Sequence, residues 1–185
     1  NGKGYKAMIR QYLKQNVYEA YLERMHLVFS EFENIFVSFS GGKDSGLLLN
    51  LTLDFRNKYY PGRRIGVFHQ DFEAQYTVTT QYVEQTFQRL EDDPTVELYW
   101  VCLPMATRTC LSSYQMYWYP WDDTKEELWV RPMPQHPYVI NLQNNPMTTY
   151  RYRMHQEDLA KQFGRWYRLS HGNRKTVCLL GIRAD

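Results

Sequence analysis

The chain has 185 residues, 43% of them apolar and 23% charged, which fits one compact domain around a single core. No apolar run approaches the roughly 20 residues that a membrane-spanning helix needs, and three cysteines without CxxC spacing argue against both a disulfide framework and a zinc ribbon. The formal net charge of +2 demands no polyanionic partner, and a reducing cytoplasm is the default expectation.

The chain opens at Asn1 rather than Met and has no charged, then apolar, leader pattern, so it reads as part of a longer protein. From about Asn16 to Phe32, Val17, Tyr21, Met25, Val28 and Phe32 recur at steps of three and four and mark one face of an amphipathic helix. Ile35 to Ser40 is short, apolar and rich in β-formers, and it runs into Gly41-Gly42 as a buried strand would run into a tight turn. Leu47, Leu48, Leu51 and Phe55 then form a second helical face that stops before Pro61-Gly62. Arg64 to Gln70 reads as the next strand, a helix through Val83, Phe87 and Leu90 follows, and Val96 to Leu103 is a third strand.

From Pro104 to Asn145 the pattern breaks. Five prolines and the aromatics Tyr114, Tyr117, Trp118, Tyr119, Trp121 and Trp129 show no sustained period, and the stretch of about 104–150 reads as an insertion or lid. Its aromatic side chains could stack on bases or an adenine ring, or pack on their own domain. A helix from about Glu157 to Leu169 precedes a last strand, Thr176 to Ile182, where the sheet is expected to be incomplete or to continue beyond the chain. The order βαβαβ, insertion, αβ predicts an α/β domain with a mostly parallel sheet and ligands beyond the carboxyl ends of its strands.

Ser40-Gly41-Gly42-Lys43-Asp44-Ser45 lies where the first strand passes into its helix. Backbone N–H groups converge there and the helix N-terminus adds a partial positive charge, so the position suits a polyanion. Gly41 and Gly42 allow positive φ and close approach of phosphate oxygens, Ser40 and Ser45 supply hydroxyls, and Lys43 supplies a charge. Asp44 is the odd member, explained by a role in holding Mg²⁺ or in capping the helix. A Walker A loop is excluded because Val37 and Asp44 stand where its first Gly and its Ser/Thr are required, and no G-x-G-x-x-G occurs.

The heptad ending in Gly46 resembles the PP-loop of the N-type ATP pyrophosphatases and PAPS reductases. The resemblance extends to His69-Gln70-Asp71 and to Gly181-Ile182-Arg183-Ala184-Asp185. More narrowly, Leu103-Pro104-Met105 and Trp118-Tyr119-Pro120-Trp121 are similar to the IbrA-type branch, PAPS-reductase-like co-activators of prophage gene expression. The resemblance implies a HUP-like, three-layer domain that binds ATP with Mg²⁺, in which Ser40, Gly41, Gly42, Lys43, Asp44 and Ser45 cradle phosphates. It puts His69 and Asp71 near nucleotide or metal, makes Asp44 the metal ligand, and sets Lys43, Asp44 and Arg183 at the reaction, in which an acceptor oxygen attacks the α-phosphate and pyrophosphate leaves. It equally implies a second possibility, a non-catalytic nucleotide-binding module that acts with a ParB-like protein or on DNA. Sulfonucleotide reduction is not expected, because no Glu-Cys-Gly segment is present.

The remaining candidates are weaker. Cys102 and Cys178 alternate within predicted strands as core residues, whereas Cys110 lies past the third strand, nearer the expected ligand. His26, His136, His155 and His171 share no metal-ligand spacing. Arg108, Arg151 and Arg153 are candidates for anion or partner contacts. Between Arg151 and Lys175, seven Lys/Arg stand against Glu157 and Asp158, an excess of five that marks either a solvated helix face or an anion-binding one.

Overall fold

A computed structural model describes residues 14–182. Helix α1 (Val17–Glu31) begins at a capping box: the Asn16 side chain accepts from the Glu19 amide at 2.9 Å, and the Glu19 carboxylate accepts from the Asn16 amide at 3.0 Å. Then come β1 (Asn34–Ser38), α2 (Lys43–Tyr59), β2 (Ile65–Gln70), α3 (Thr77–Leu90) and β3 (Val96–Val101). The less regular stretch holds β4 (Met105–Arg108), β5 (Tyr117–Trp118), a 3-10 segment (Asp123–Leu128), β6 (Val139–Ile140) and β7 (Met154–His155). Helix α4 (Gln156–Ser170) and β8 (Thr176–Leu180) complete the described chain.

Five strands form one all-parallel sheet in the order β6-β3-β2-β1-β8. Val37 of β1 stands opposite Val67 on one side and Leu179 on the other. Because successive side chains of a strand alternate between faces, Ile35 and Val37 join one buried cluster with Leu49, Val83 and Phe87, while Phe36 joins the other with Phe163 and Tyr167. The sheet is thus covered by α1, α2 and α3 on one face and by α4 on the other, a three-layer α/β arrangement. Among the described residues no helix is long and apolar enough to cross a membrane.

The expected elements recur, those expected with both ends shifted by at most two residues and α2 and α3 beginning several residues before the faces that announced them, except in the stretch read as a lid. There Val139 and Ile140 pair in parallel with Trp100 and Val101 and supply the sheet's edge strand. The Tyr138 carbonyl accepts from the Trp100 amide (3.0 Å) and the Ile140 carbonyl from the Cys102 amide (2.8 Å). A two-residue strand is too short to imprint a period of two, so the periodicity that reveals β1–β3 has no counterpart here. A second sheet, β5-β4-β7, ties the insertion to the start of α4.

Successive strands step away from β1 through β2 to β3, and the chain later returns to lay β8 on the opposite side of β1. The topological switch point therefore falls between β1 and β8, and a crevice outside their carboxyl ends is where open α/β sheets hold ligands.

Candidate functional site

The segment from Ser40 to Ser45 occupies that switch point. Gly41 has φ of +80°, and a Cβ there would come 2.7 Å from Val83 Cγ2 and 2.9 Å from Thr79 Cγ2, so this bend packs against α3 in a way only glycine permits. Gly46 plays a related part inside α2, where a Cβ would sit 2.6 Å from the Tyr82 hydroxyl. The loop is braced from within. The Ser40 amide donates to Ser45 Oγ (3.2 Å), the Gly42 amide donates to Ser40 Oγ (3.3 Å), and Ser45 Oγ donates to the Gly42 carbonyl (3.0 Å).

What the bracing leaves open matters more. Gly42 is the N-cap of the 17-residue α2 and no side chain caps it; among the described residues, no acceptor takes the amides of Gly41, Lys43, Asp44 or Ser45. Asp44 lies in the first turn rather than at the cap, which removes the capping role considered for it. Lys43 is exposed and is the first helical residue, so a cation stands at the positive end of a helix dipole. That placement costs roughly 0.3–1 kcal/mol in isolation and is offset when an anion is held between them.

Gly181, just past β8, closes on the same point: a Cβ there would lie 3.0 Å from the Asp44 carbonyl carbon and oxygen and from the Ser45 nitrogen. The Gly181-Ile182 segment therefore runs against the first turn of α2, and Arg183 lies outside the described residues. A 470 Å³ cleft bounded by Cys102, Trp129 and Asn141 and a 600 Å³ groove beside α4 lie elsewhere, and neither has a loop residue in its wall.

His69 and Asp71 do not join the loop as ligands, which corrects the sequence expectation. His69 is 1% exposed, its Nδ1–H donates to the Phe39 carbonyl at 2.7 Å, and burial lowers its pKa below 6.5. Asp71 is fully buried, with both carboxylate oxygens engaged: Arg131 reaches them at 2.6 and 2.7 Å, the Trp100 indole donates at 2.6 Å and the Glu73 amide at 2.7 Å. Glu73, held at φ of 61°, accepts from the amides of Trp121 (2.8 Å) and Val130 (3.0 Å). Together Asp71 and Glu73 clasp the insertion to the end of β2. A sequence offers no local signal for this, since Arg131 lies 60 positions from Asp71.

The other candidates separate in the same manner. Arg153 is committed to Asp122 at 2.6 Å and stacks 4.7 Å over Tyr119, so it braces the insertion rather than waiting for an anion. Trp121 is 1% exposed and meets Trp129 edge-on at 5.1 Å, with Arg131 4.8 Å over its ring. For these residues, of the two roles considered for the aromatic cluster, packing on their own domain is the one realised. All three cysteines are free thiols. Burial and the adjacent Asp71 push the Cys102 thiol well above its usual value, and burial raises Cys178 to about 11, so neither is a ready nucleophile. Cys110 is exposed between β4 and β5. Among the described residues no group of three or more His, Cys, Asp or Glu is placed to hold a metal. A Mg²⁺ at Asp44 would therefore rely on a bound phosphate and water for its other ligands, as this ion commonly does.

Comparison with known proteins adds one relative. The chain is 36% identical over 173 residues to a protein of Escherichia coli (strain K12) described as "Uncharacterized protein YbdN", a match that covers 94% of this chain and 40% of that protein. The chain thus spans about two-fifths of the length of the curated relative it matches. No family model matches, and no solved structure matches.

Proposed function

We propose that this is a PP-loop protein of HUP-like fold that binds ATP with Mg²⁺ and cleaves it between the α- and β-phosphates, transferring the adenylyl group to an acceptor in a cytoplasmic setting. One observation carries the reading: at the switch point of a parallel sheet, the amides of Gly41, Lys43, Asp44 and Ser45 have no acceptor among the described residues, and the Lys43 side chain stands exposed beside them.

The chemistry follows from these groups. The loop amides and the α2 dipole hold and orient the phosphate tail, and Lys43 neutralises part of its charge. An acceptor oxygen attacks the α-phosphorus, the bond to the α–β bridging oxygen breaks, and that oxygen leaves with pyrophosphate. Lys43 stabilises the charge that gathers on the leaving group, and the resemblance implies that Arg183 serves the same anion. Mg²⁺, held in part by Asp44, would supply further neutralisation there. His69 contributes indirectly, by holding the Phe39 carbonyl one residue before the loop.

A second reading, which the resemblance to the IbrA-type branch carries, is nucleotide binding without turnover by a module that acts through a ParB-like protein or DNA. Calorimetry with ATP and Mg²⁺ tests what the two share. The double variant Lys43→Ala/Asp44→Ala is expected to lose at least about tenfold in affinity, a change of about 1.4 kcal/mol, with its circular dichroism unchanged; unaltered affinity rejects both. Stoichiometric AMP and pyrophosphate then select the enzyme, and binding without product selects the module.

A further inference from the structure

The insertion builds a cleft on the same edge of the sheet as the glycine loop. Strands β3 and β6 are parallel neighbours, and both end at it: Cys102, the first residue past β3, and Asn141, the first past β6, lie in its wall. Its 470 Å³ falls within the roughly 300–1,000 Å³ of small-molecule sites, and open α/β sheets hold their ligands outside the carboxyl ends of the strands. In the sheet order β3 stands two places from β1, which at about 4.8 Å per step sets the two strand ends about 10 Å apart.

The wall combines an apolar surface with hydrogen-bond donors that the chain does not use. Trp129 contributes a half-buried indole, backed edge-on at 5.1 Å by Trp121, and its N–H is spent on the Asp122 carbonyl at 3.1 Å, which fixes the ring. The Trp121 N–H is not spent: it is buried and has no hydrogen-bond partner among the described residues. Buried indole donors are normally bonded, so this wall retains a donor that a ligand's oxygen can take. Asn141 adds a second, because its Oδ1 accepts from the amides of Gln143 (2.9 Å) and Asn144 (3.3 Å), which leaves its NH2 group as the end open to a ligand.

The charge of the cleft is one-sided. Asp123 and Glu126 of the 3-10 segment line it, no Lys, Arg or His does, and Lys125 of the same segment lines a separate 270 Å³ cavity with Tyr119 instead. Neighbouring carboxylates are matched: Asp71 holds Arg131 and Asp122 holds Arg153, each at 2.6 Å. Asp123 and Glu126 have no cationic partner among the described residues, and Asp123 accepts only from the Tyr152 hydroxyl, at 2.5 Å. A cleft lined by one sign of charge beside an apolar wall concentrates the opposite charge. We infer that this cleft binds a small organic cation, an ammonium or guanidinium on an apolar body, with Asp123 and Glu126 holding the cation and Trp129 the body. A phosphate would meet two carboxylates and no cation there, so the cleft and the glycine loop select opposite charges. The inference stands independently of the nucleotide reading, because no residue of the Ser40–Ser45 loop lines the cleft.

The test is calorimetry with tyramine, a primary ammonium on an aromatic body that also carries an oxygen, against its neutral N-acetyl derivative and the anionic N-acetyltyrosine. Tyramine is expected to bind, the neutral compound at least about tenfold more weakly and the anion more weakly still. Asp123→Asn/Glu126→Gln, at two exposed positions, is expected to erase the preference for tyramine over the neutral compound. Leu142→Lys, which brings a cation of the chain's own into the wall, is expected to cost at least about tenfold in tyramine affinity. Glu127→Gln changes the charge of the same segment outside the cleft and is expected to leave tyramine binding unchanged. No binding of tyramine, equal binding of tyramine and its N-acetyl derivative, or tyramine binding indifferent to both Asp123→Asn/Glu126→Gln and Leu142→Lys overturns the inference. So does a loss in Glu127→Gln as large as that in the double variant, since the attraction would then belong to the surface at large and not to the cleft.

Discussion

The turns after β1 and β2 make the instructive contrast in this molecule, for both follow strands of the parallel sheet with polar and charged residues and they differ in fate. Each follows a buried strand at the same edge of the sheet, and each carries groups suited to a nucleotide site. After β1 the polar groups stay open: Ser40 and Lys43 are exposed and four amides lack acceptors among the described residues. After β2 they are spent, with Asp71 at 0% exposure and Glu73 at 6%, bonded to Arg131, Trp100 and the backbone of Trp121 and Val130. A carboxylate that already accepts four hydrogen bonds has little left for a ligand, whereas an uncapped helix start has little else to do. Residue type nominates a site, and pairing decides it.

Arg131→Met tests the contrast most severely. It leaves the Asp71 charge buried without its cation, and removing one partner of a buried pair costs about 3–5 kcal/mol; urea unfolding should show a loss of that size, and a loss under 1 kcal/mol would mean that Asp71 is less committed than its bonds indicate. Next in size, Gly41→Ala places a Cβ at φ of +80° within 3 Å of Val83 and Thr79. About 1–3 kcal/mol of stability should go, together with the proposed ATP affinity.

His69 provides a pH test. Burial holds its folded-state pKa below the 6.5 of the free side chain. Between those two values the unfolded chain carries the proton and the folded chain does not, so stability is lost as pH falls below about 6.5, with a limiting slope of about 1.4 kcal/mol per pH unit. In His69→Asn, which retains a donor for the Phe39 carbonyl, the stability profile from about pH 5 to 7 should be flatter by that amount. An identical slope in the variant would show that His69 titrates freely. The smallest stability effect belongs to Lys43→Ala/Asp44→Ala, expected within about 0.5 kcal/mol of the parent even as nucleotide binding disappears. If that pair instead destabilised the fold as Arg131→Met does, the distinction between the two turns would fail.

Local information reached far in the regular parts. The three- and four-residue spacing of Val17 through Phe32, the apolar Ile35–Ser40 run into Gly41-Gly42, and the later strand and helix signals located α1, α4, β1–β3 and β8 to within one or two residues and marked the faces of α2 and α3, because each element's burial is written at its own period. The glycine bend was equally legible, since its geometry rests on adjacent residues and on a φ that few other residues tolerate.

Where the chain must be read against distant parts of itself, the sequence was silent. Nothing near Val139 announces that it pairs with Trp100, and nothing near Asp71 announces Arg131, whose approach turns a candidate ligand into a clasp. Periodicity and the Gly41-Gly42 pair determined an α/β domain with a tight bend at the end of its first strand, since those depend on neighbouring residues. Tertiary structure decided which polar groups at that edge remain without partners among the described residues, because burial and pairing arise only when segments far apart in the chain compete for the same space and the same hydrogen bonds.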